Sequence, residues 1–499
     1  MANSAEWKPV PLAASVDQRY ADTSIDGLMT NGYLEKDEAG AMWTRRRAGL
    51  TKNLTLSQTG GGRGTAILYP AGTTIGTIVS FGNPLTSGNT IYVDGVLAYT
   101  YTATSSFAWL DQSTVATNTQ IYASNGIEGA YKNGVAAFAK ITDANYPAVT
   151  INGSAYLNGY LYVLDPNGSI WGTPNQNNFA VWSSTNVVNA WGTVGAAVAI
   201  RRYLNEVLVF KTFTVEVFYD AGNNGIGSPL LPVQQINIKW GCVTPQTIVE
   251  IDDDMFWVGN SESGLNAVIR MNQFNAQPIS TPQINRLLSI NGQTGSSLGV
   301  QAAFSCNMGG NKFYCLSYVT NQNNITNTIV LGYNLGTGEW SVLMSTQLIP
   351  SDIFIQPPPY PLASTNNPAS DVQQILFNNG EVYSVDDSVT VDSYSPTGHY
   401  PIQMRLRTDN FEAGTSLRKM VSGLRIKADQ KSASALRIRW SDDDYQTWSA
   451  WRSIDLTKPV PSLPGLQGTF SKRAYELEYA GSDPIRFSRL ELLIALGDI

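Results

Sequence analysis

Polar turns that open onto short apolar runs recur along the chain. Asn158-Gly159 precedes Tyr160-Leu161-Tyr162-Val163, and Asn205-Glu206 precedes Val207-Leu208-Val209-Phe210. Asp253-Asp254 precedes Met255-Phe256-Trp257-Val258 in the same way. Asn311-Lys312 and Asn379-Gly380 open two further units, Phe313-Tyr314-Cys315-Leu316 and Glu381-Val382-Tyr383-Ser384. Runs of β-branched and aromatic residues bounded by Asn, Asp and Gly read as strands. The first three units start 47 and 48 residues apart, at Asn158, Asn205 and Asp253. That is close to the roughly 40–50 residues of one four-stranded propeller blade. Each run is expected to be the innermost strand of its sheet. Two units continue through a polar turn to a tryptophan, Asp165 to Trp171 and Asn334 to Trp340. These are expected as hairpins whose indoles pack between neighbouring sheets. Sheets with a greasy face that only an adjacent sheet can cover point to a propeller, with an irregular array of β-sandwiches as the alternative.

The fold class expected is therefore all-β: a β-propeller core with an N-terminal region, an inserted small β domain and a C-terminal β domain. Residues 1–58 form the N-terminal platform region. Residues 59–150 begin with Gly60-Gly61-Gly62-Arg63-Gly64 and continue as short Thr/Tyr/Val strands that break the repeat. The glycine run lacks the Lys-Ser/Thr of a phosphate loop and reads as a flexible linker. This zone is expected to be an inserted domain, a fin or distal projection. Residues 151–400 are the propeller, and 401–499 a C-terminal β domain that could complete the platform or the propeller. The proline-rich stretch from Gln356 to Ser370 reads as a long, stiff loop. One short helix is expected over 282–288, capped by Ser280 or Thr281, with Pro282 in its first turn and Ile284, Leu287 and Leu288 on one face.

Composition sharpens this picture. Charged residues make up 14% of the chain, against about 25% in an average soluble domain. Asn, Gly, Ser and Thr take their place, and they suit turns and wet strand faces. The formal net charge is −7, with no basic stripe of the kind a sequence-specific DNA binder carries. The best basic cluster is Arg45-Arg46-Arg47, either a contact for DNA phosphate or an acidic partner or a solvated turn. Cys242, Cys306 and Cys315 include no CxxC pair, so neither a zinc site nor a disulfide framework is indicated. The lone histidine, His399, leaves little room for a Ser-His-Asp triad or a His-rich metal site. Asp252-Asp253-Asp254 and Asp442-Asp443-Asp444 are candidate carboxylate pairs, yet both stand in hairpin turns, where Asp bonds turn amides. No cofactor and no metal are expected. The amino terminus has no apolar signal core, and no run of about 18 apolar residues could span a membrane.

Within the stretch 211–288, Trp257-Val258-Gly259, Gly264 and Val268 are followed by Ile279-Ser280-Thr281, Ile284 and Leu288. In these residues the stretch resembles the tail-hub family of short-tailed bacteriophages, also called packaged-DNA stabilization or tail-nozzle proteins. The run from Asn31-Gly32-Tyr33 to Gly49-Leu50 is similar to the family's opening, with Ala48 where many members have proline. The closing zone is similar as well. There Ser441, Asp443, Thr447 and Trp448 also match the Asp-box hairpin S-x-D-x-G-x-T-W, with Tyr445 in place of the glycine.

What the resemblance implies is a structural virion protein, not an enzyme, made in the host cytoplasm. It would form a homohexameric ring below the portal adaptor ring, seal the packaged DNA, conduct it on ejection, and anchor tail fibres or spikes. The two terminal regions would face the adaptor, the propeller would form the tube wall, and 59–150 would project. Translocating double-stranded DNA would be held weakly and without sequence preference, since a net-acidic wall releases few counterions. Trp257, Gly259, Ser280, Thr281 and the Asp-box residues would be structural. The alternatives are a propeller glycosidase or sialidase-like enzyme, or a glycan-binding adhesin. The enzyme predicts several clean Asp boxes and an arginine cluster for a carboxylate. The sequence has one degenerate box and no such cluster.

Overall fold

The computed structural model describes residues 5–10, 12, 28–55, 60–68, 77–84, 90–103, 109–113, 119–134, 136–222, 227–290, 299–322, 325–345, 361–367, 372–395, 398–432, 434–465 and 467–496. Among them, seven four-stranded antiparallel blades follow one another round a ring. Blades 1 to 6 span residues 60–100, 109–140, 155–189, 197–232, 249–278 and 299–345. Blade 7 is composite. Three of its strands are Pro361–Asn367, Val372–Phe377 and Glu381–Asp386, and the fourth, Gly49–Thr55, comes from the other end of the chain. The chain thus supplies the outer strand of the last blade before it enters the first, and the hydrogen bonds of that strand close the ring.

The first strand of each blade is the innermost, because the first strands of successive blades approach one another. The apolar runs singled out in the sequence are instead the second strands in blades 3 to 6, Tyr160–Leu164, Glu206–Lys211, Asp254–Asn260 and Asn311–Gln322, and the third strand in blade 7. This corrects the expectation, and the reason is physical. A second strand has partners on both edges and a neighbouring blade on both faces. Leu161 and Val163 pack toward blade 2, while Tyr162 and Leu164 pack toward blade 4. Leu208 and Phe210 meet Met255 and Trp257 between blades 4 and 5. Phe256 and Val258 point the other way, to Tyr314 and Leu316 of blade 6. Alternate residues are therefore all buried, and the run is continuously apolar.

Residues 60–140 are blades 1 and 2, not an inserted projection. Ile91 and Tyr101 pack with Ile121 and Ala123, Tyr122 and Ile141 pack with Tyr156 and Leu161, and Tyr92 meets Leu376 and Val382 of blade 7. The glycine run at Gly60 opens the inner strand Gly60–Leu68 and is not a linker. Pro361–Asn367, expected as part of a loop, is the inner strand of blade 7. Residues 356–360 and 368–370 of that expected loop lie outside the described residues.

Val391–Ser395 and Gly398–Pro401 extend the blade 7 sheet beyond Gly49–Thr55, and the other strands form a β-sandwich built from both ends of the chain. Its first sheet joins Glu6–Val10, Gly32–Lys36 and Met42–Arg46 to Lys419–Ala428 and Arg486–Leu496. Its second contains Met404–Arg407, Ala435–Ser441, Arg452–Asp455 and Ala474–Tyr479. Val10, Leu424, Ile426, Leu490 and Leu492 interdigitate with Leu406, Ile438 and Leu477 to form its core. Leu28–Thr30 inserts between Trp340–Ser345 of blade 6 and Met404–Arg407, so blade and sandwich share one nine-stranded sheet.

The helix Pro282–Ile290 forms as the sequence indicates. Thr281 Oγ1 accepts the amide of Ile284 at 3.3 Å, an N-cap bond. Ile284 and Leu288 are buried between blades 5 and 6. No helix among the described residues is long and apolar enough to cross a membrane.

Candidate functional site

In a propeller the inner strands converge on one axis, and side chains from several blades can meet there. Arg201 lies on the inner strand of blade 4, Ala197–Tyr203, and is buried. Its guanidinium stacks 3.6 Å from the ring centroid of Trp109, on the inner strand of blade 2. Nη1 donates to the carbonyls of Ile200 at 2.8 Å and Asn152 at 3.3 Å, and Nη2 to that of Pro245, before blade 5, at 3.3 Å. One side chain thus touches elements of blades 2, 3, 4 and 5. Blades 2 and 4 are separated by blade 3, so the contact runs past the inner edge of blade 3. Trp109 Nε1 donates to Ser154 Oγ at 2.8 Å, and that hydroxyl donates to Asp111 Oδ2 at 2.7 Å.

Among the described residues no carboxylate lies within ion-pair distance of Arg201. Carbonyl oxygens and the indole face take the charge instead. Burial lowers the Arg201 pKa to about 10, so the side chain stays cationic at neutral pH. Burial raises the Asp111 carboxyl, partly offset by its bond from Ser154. The result is a packed cation–indole contact that ties blades 2 to 5 together. Single-sequence reading missed it. Nothing local marks Arg201, which is one of two adjacent arginines in an otherwise apolar strand.

The other candidate residues are structural. Arg46 is buried and donates to the carbonyls of Gly481 at 2.5 Å and Asp483 at 2.8 Å. Arg47 is buried and forms a two-pronged pair with Asp392, with Nη1 at 2.9 Å from Oδ1, and a bond to Asn31 Oδ1 at 3.2 Å. Arg45 pairs with Glu35 at 3.2 Å. Arg46 and Arg47 face inward and spend their donors within the fold, so they are not the solvated turn or surface contact expected of them, while Arg45 is half-buried beside Glu35. Trp257 is fully buried, its Nε1 bonded to Gly241 O at 2.8 Å. A Cβ at Gly259 would stand 2.6 Å from Ile269 Cγ1, so the site admits only glycine without movement. Ser280 Oγ accepts the Val268 amide at 2.9 Å.

The Asp-box hairpin closes as its sequence suggests. Asp443 accepts from Ser441 Oγ at 2.8 Å, from the Thr447 amide at 2.9 Å, and from Thr447 Oγ1. Tyr445, at the glycine position, takes φ of 68°. The bonds from Thr447, then that from Ser441, lower the Asp443 pKa from 3.8 to about 2. A depressed carboxyl contributes stability that is present above its unfolded pKa and lost as pH falls through the folded one. Asp443→Asn is therefore expected to melt below the wild type at pH 5 and above, with the gap closing toward pH 2. Thermal melts over that range check it.

The Asp triplets are likewise engaged. Asp252 pairs with Lys312 at 2.6 Å, Asp254 with Arg270 at 2.6 Å, Asp442 with Arg473 at 2.6 Å, and Asp444 accepts from Asn410 Nδ2 at 2.6 Å. Among the described residues no group of three His, Cys, Asp or Glu is placed to hold a metal ion. His399 lies on the strand Gly398–Pro401, and its side chain lies outside the described residues. Cys306 and Cys315 line an internal apolar cavity of about 40 Å³ between blades 6 and 7. Burial raises the Cys242 thiol to about 12. An arginine cluster does exist, which the sequence did not reveal. Arg405, Arg407, Arg437 and Arg439 converge on Glu476 and Glu478, but on the sandwich and not at the propeller axis.

The sequence profile described as bacteriophage P22 Gp10, beta-propeller, matches residues 38–303, a little over half of the chain. The chain belongs to this family. The matched span starts just before the ring-closing strand and runs to the first strand of blade 6. A member of the Gp10 family is a phage structural protein, and the described β-propeller agrees with the family's description. No curated protein matches the chain. Among solved structures, the chain is similar to a catalytically inactive virginiamycin B lyase from Staphylococcus aureus with quinupristin, at 10% identity and a TM-score of 0.38. That match covers 67% of this chain and 98% of that one. BamB from Moraxella catarrhalis is similar at 9% identity and a TM-score of 0.37, covering 67% and 99%. The computationally designed Ika8 protein is similar at 11% and 0.36, covering 67% and 99%.

Proposed function

We propose that the protein is the tail hub or nozzle of a short-tailed phage, a virion component that works as a ring of six identical copies and carries no catalytic centre. The observation that carries this reading is the seven-bladed β-propeller in a chain of the Gp10 family. Glycoside hydrolysis needs two carboxyl groups roughly 5–10 Å apart facing a cleft, and where Arg201 joins blades 2 to 5 a stacked cation and indole stand instead. Each propeller would be a wall block, and a conduit for DNA would run between copies. The hub would seal packaged DNA beneath the portal adaptor, conduct it on ejection, and anchor fibres or spikes on its flank. The sandwich made from both chain ends is the part assigned to the adaptor. Its two-ended construction lets load on either terminus be shared by one core.

Electron microscopy of the purified chain and of the virion tests this. A sixfold ring at the tail vertex is the expected result. A chain that stays monomeric, is missing from the vertex and turns over capsular or lipopolysaccharide glycans would overturn the reading.

A further inference from the structure

Charge is divided between the two units of the chain. Residues 59–400, which make up most of the propeller, carry 10 Lys and Arg against 20 Asp and Glu. Residues 401–499, most of the sandwich, carry 15 against 12, and residues 1–58 are balanced at 7 and 7. The sandwich excess has a definite place. On the outward face of its second sheet, Glu478 stands between Arg405 and Arg437, and Glu476 between Arg407 and Arg439. The two carboxylates are covered, with side-chain exposures of 3% and 0%, whereas Arg437 is 49% and Arg405 30% exposed. Arg405 reaches Glu478 at 2.9 Å, and Arg439 Nε reaches Glu476 at 2.7 Å. Trp451 lies 4.7 Å from Arg437 and 4.5 Å from Arg439, and Trp448 4.8 Å from Arg439.

This construction fixes four guanidiniums upright on buried anchors and braces them with indoles. Four positive charges over two negative ones leave a surplus that faces solvent. Pre-ordered arginines cost little entropy when they meet carboxylates, and Arg with Trp is the composition of protein–protein hot spots. The opposite character appears on the propeller. Glu250, Asp252 and Asp253, at the inner turn of blade 5, are exposed, and the three outnumber Lys312, which pairs with Asp252 at 2.6 Å. The bond from Tyr203 Oη to Asp253 O, 2.7 Å, draws the blade 4 turn with Glu206 against them.

We infer that the Arg405–Arg437–Arg439 face docks on the acidic turn rim of blades 4 and 5 in a second copy of this chain. Two different patches that complement each other form a heterologous contact, and repetition of such a contact closes a ring. The inference rests on the hub reading and supplies the interface that the reading lacks. Sedimentation velocity over a series of NaCl concentrations tests it, with Arg437→Glu, Asp253→Lys and the double variant. Wild-type assembly weakens as salt rises. Each single reversal raises the concentration needed for half assembly about tenfold or more, and the double variant recovers most of the loss. Arg437→Gln, which introduces no new charge, shifts it less and guards against a folding defect, which melts of all variants reveal. Unchanged assembly and salt dependence in both Arg437 variants would overturn the inference while leaving a ring, and the hub reading, intact. A wild type that never assembles and forms no ring in the virion overturns both.

Discussion

Gly153→Ala is expected to destabilise the ring by roughly 3 kcal/mol or more, as overpacking against backbone combined with a strained φ requires. Gly153 has φ of +102°, a region that other residues rarely enter. A Cβ there would lie 1.8 Å from Arg201 Nη1 and 2.1 Å from the Ile200 carbonyl oxygen. The guanidinium cannot swing aside freely, because it is held by Trp109 and three carbonyl oxygens. The Ile200 carbonyl cannot move without disturbing the inner strand of blade 4, where the Ile200 amide bonds Asn152 O at 2.9 Å. Denaturant unfolding checks the magnitude. The companion Arg201→Met keeps much of the packing but removes the charge and its hydrogen bonds. If the Arg201 contact is the reason for the glycine, Gly153→Ala costs less in the Arg201→Met background than in the wild type. Equal costs in both backgrounds would assign the penalty to Ile200 and the backbone alone.

The second large effect is expected at the ring closure. Asp392→Ala leaves Arg47 buried without its partner, and breaking a buried pair on one side costs about 3–5 kcal/mol. The side chains of Arg47 and Asp392 are 6% and 5% exposed. Asp392 Oδ1 also accepts the Leu50 amide at 3.1 Å, on the strand that closes blade 7. Loss of the carboxylate should therefore loosen Gly49–Thr55 before the rest of the ring. Hydrogen exchange is expected to show the amides of that strand losing protection first. Arg47→Met combined with Asp392→Leu should recover part of the stability, because an apolar pair of similar bulk carries no desolvation cost. If the double variant is no better than Asp392→Ala, the pair's role is in its hydrogen bonds to Asn31 and Leu50 rather than in its charge.

Several features were legible in the chain itself because they are local. Alternation of polar turns with apolar runs marks strands, and the continuous burial of a blade's second strand makes those runs conspicuous. The spacing from Asn158 to Asn205 to Asp253 is one blade each, since each blade there is built from consecutive residues. The capped helix after Thr281 and the Ser441–Asp443–Thr447 hairpin are likewise short-range devices, closed by groups within a few positions of one another.

The features that escaped reading depend on residues far apart in sequence. Blades 1 and 2 fall outside the evenly spaced units, so they looked foreign until Tyr92, Ile121 and Tyr122 were seen packed against their neighbours. Blade 7 takes its last strand from 328 positions upstream, where Leu54 pairs with Val382. Arg45, Arg46 and Arg47 look like a basic surface patch, yet partners at Glu35, Gly481 and Asp392 draw them inside. The Arg405–Arg439 lattice and the Arg201 contact each join strands that share no sequence pattern.

By itself, the sequence determined that this protein is all-β, repeats in blade-sized units and belongs with phage stabilisation proteins, because periodicity and short motifs are written residue by residue. Only the tertiary structure decided how many blades close the ring, which end of the chain supplies the closing strand, and that Arg201 ties blades 2 to 5 together. Those outcomes rest on which distant side chains meet, and a charge or an indole shows its partner only when the chain has folded round it.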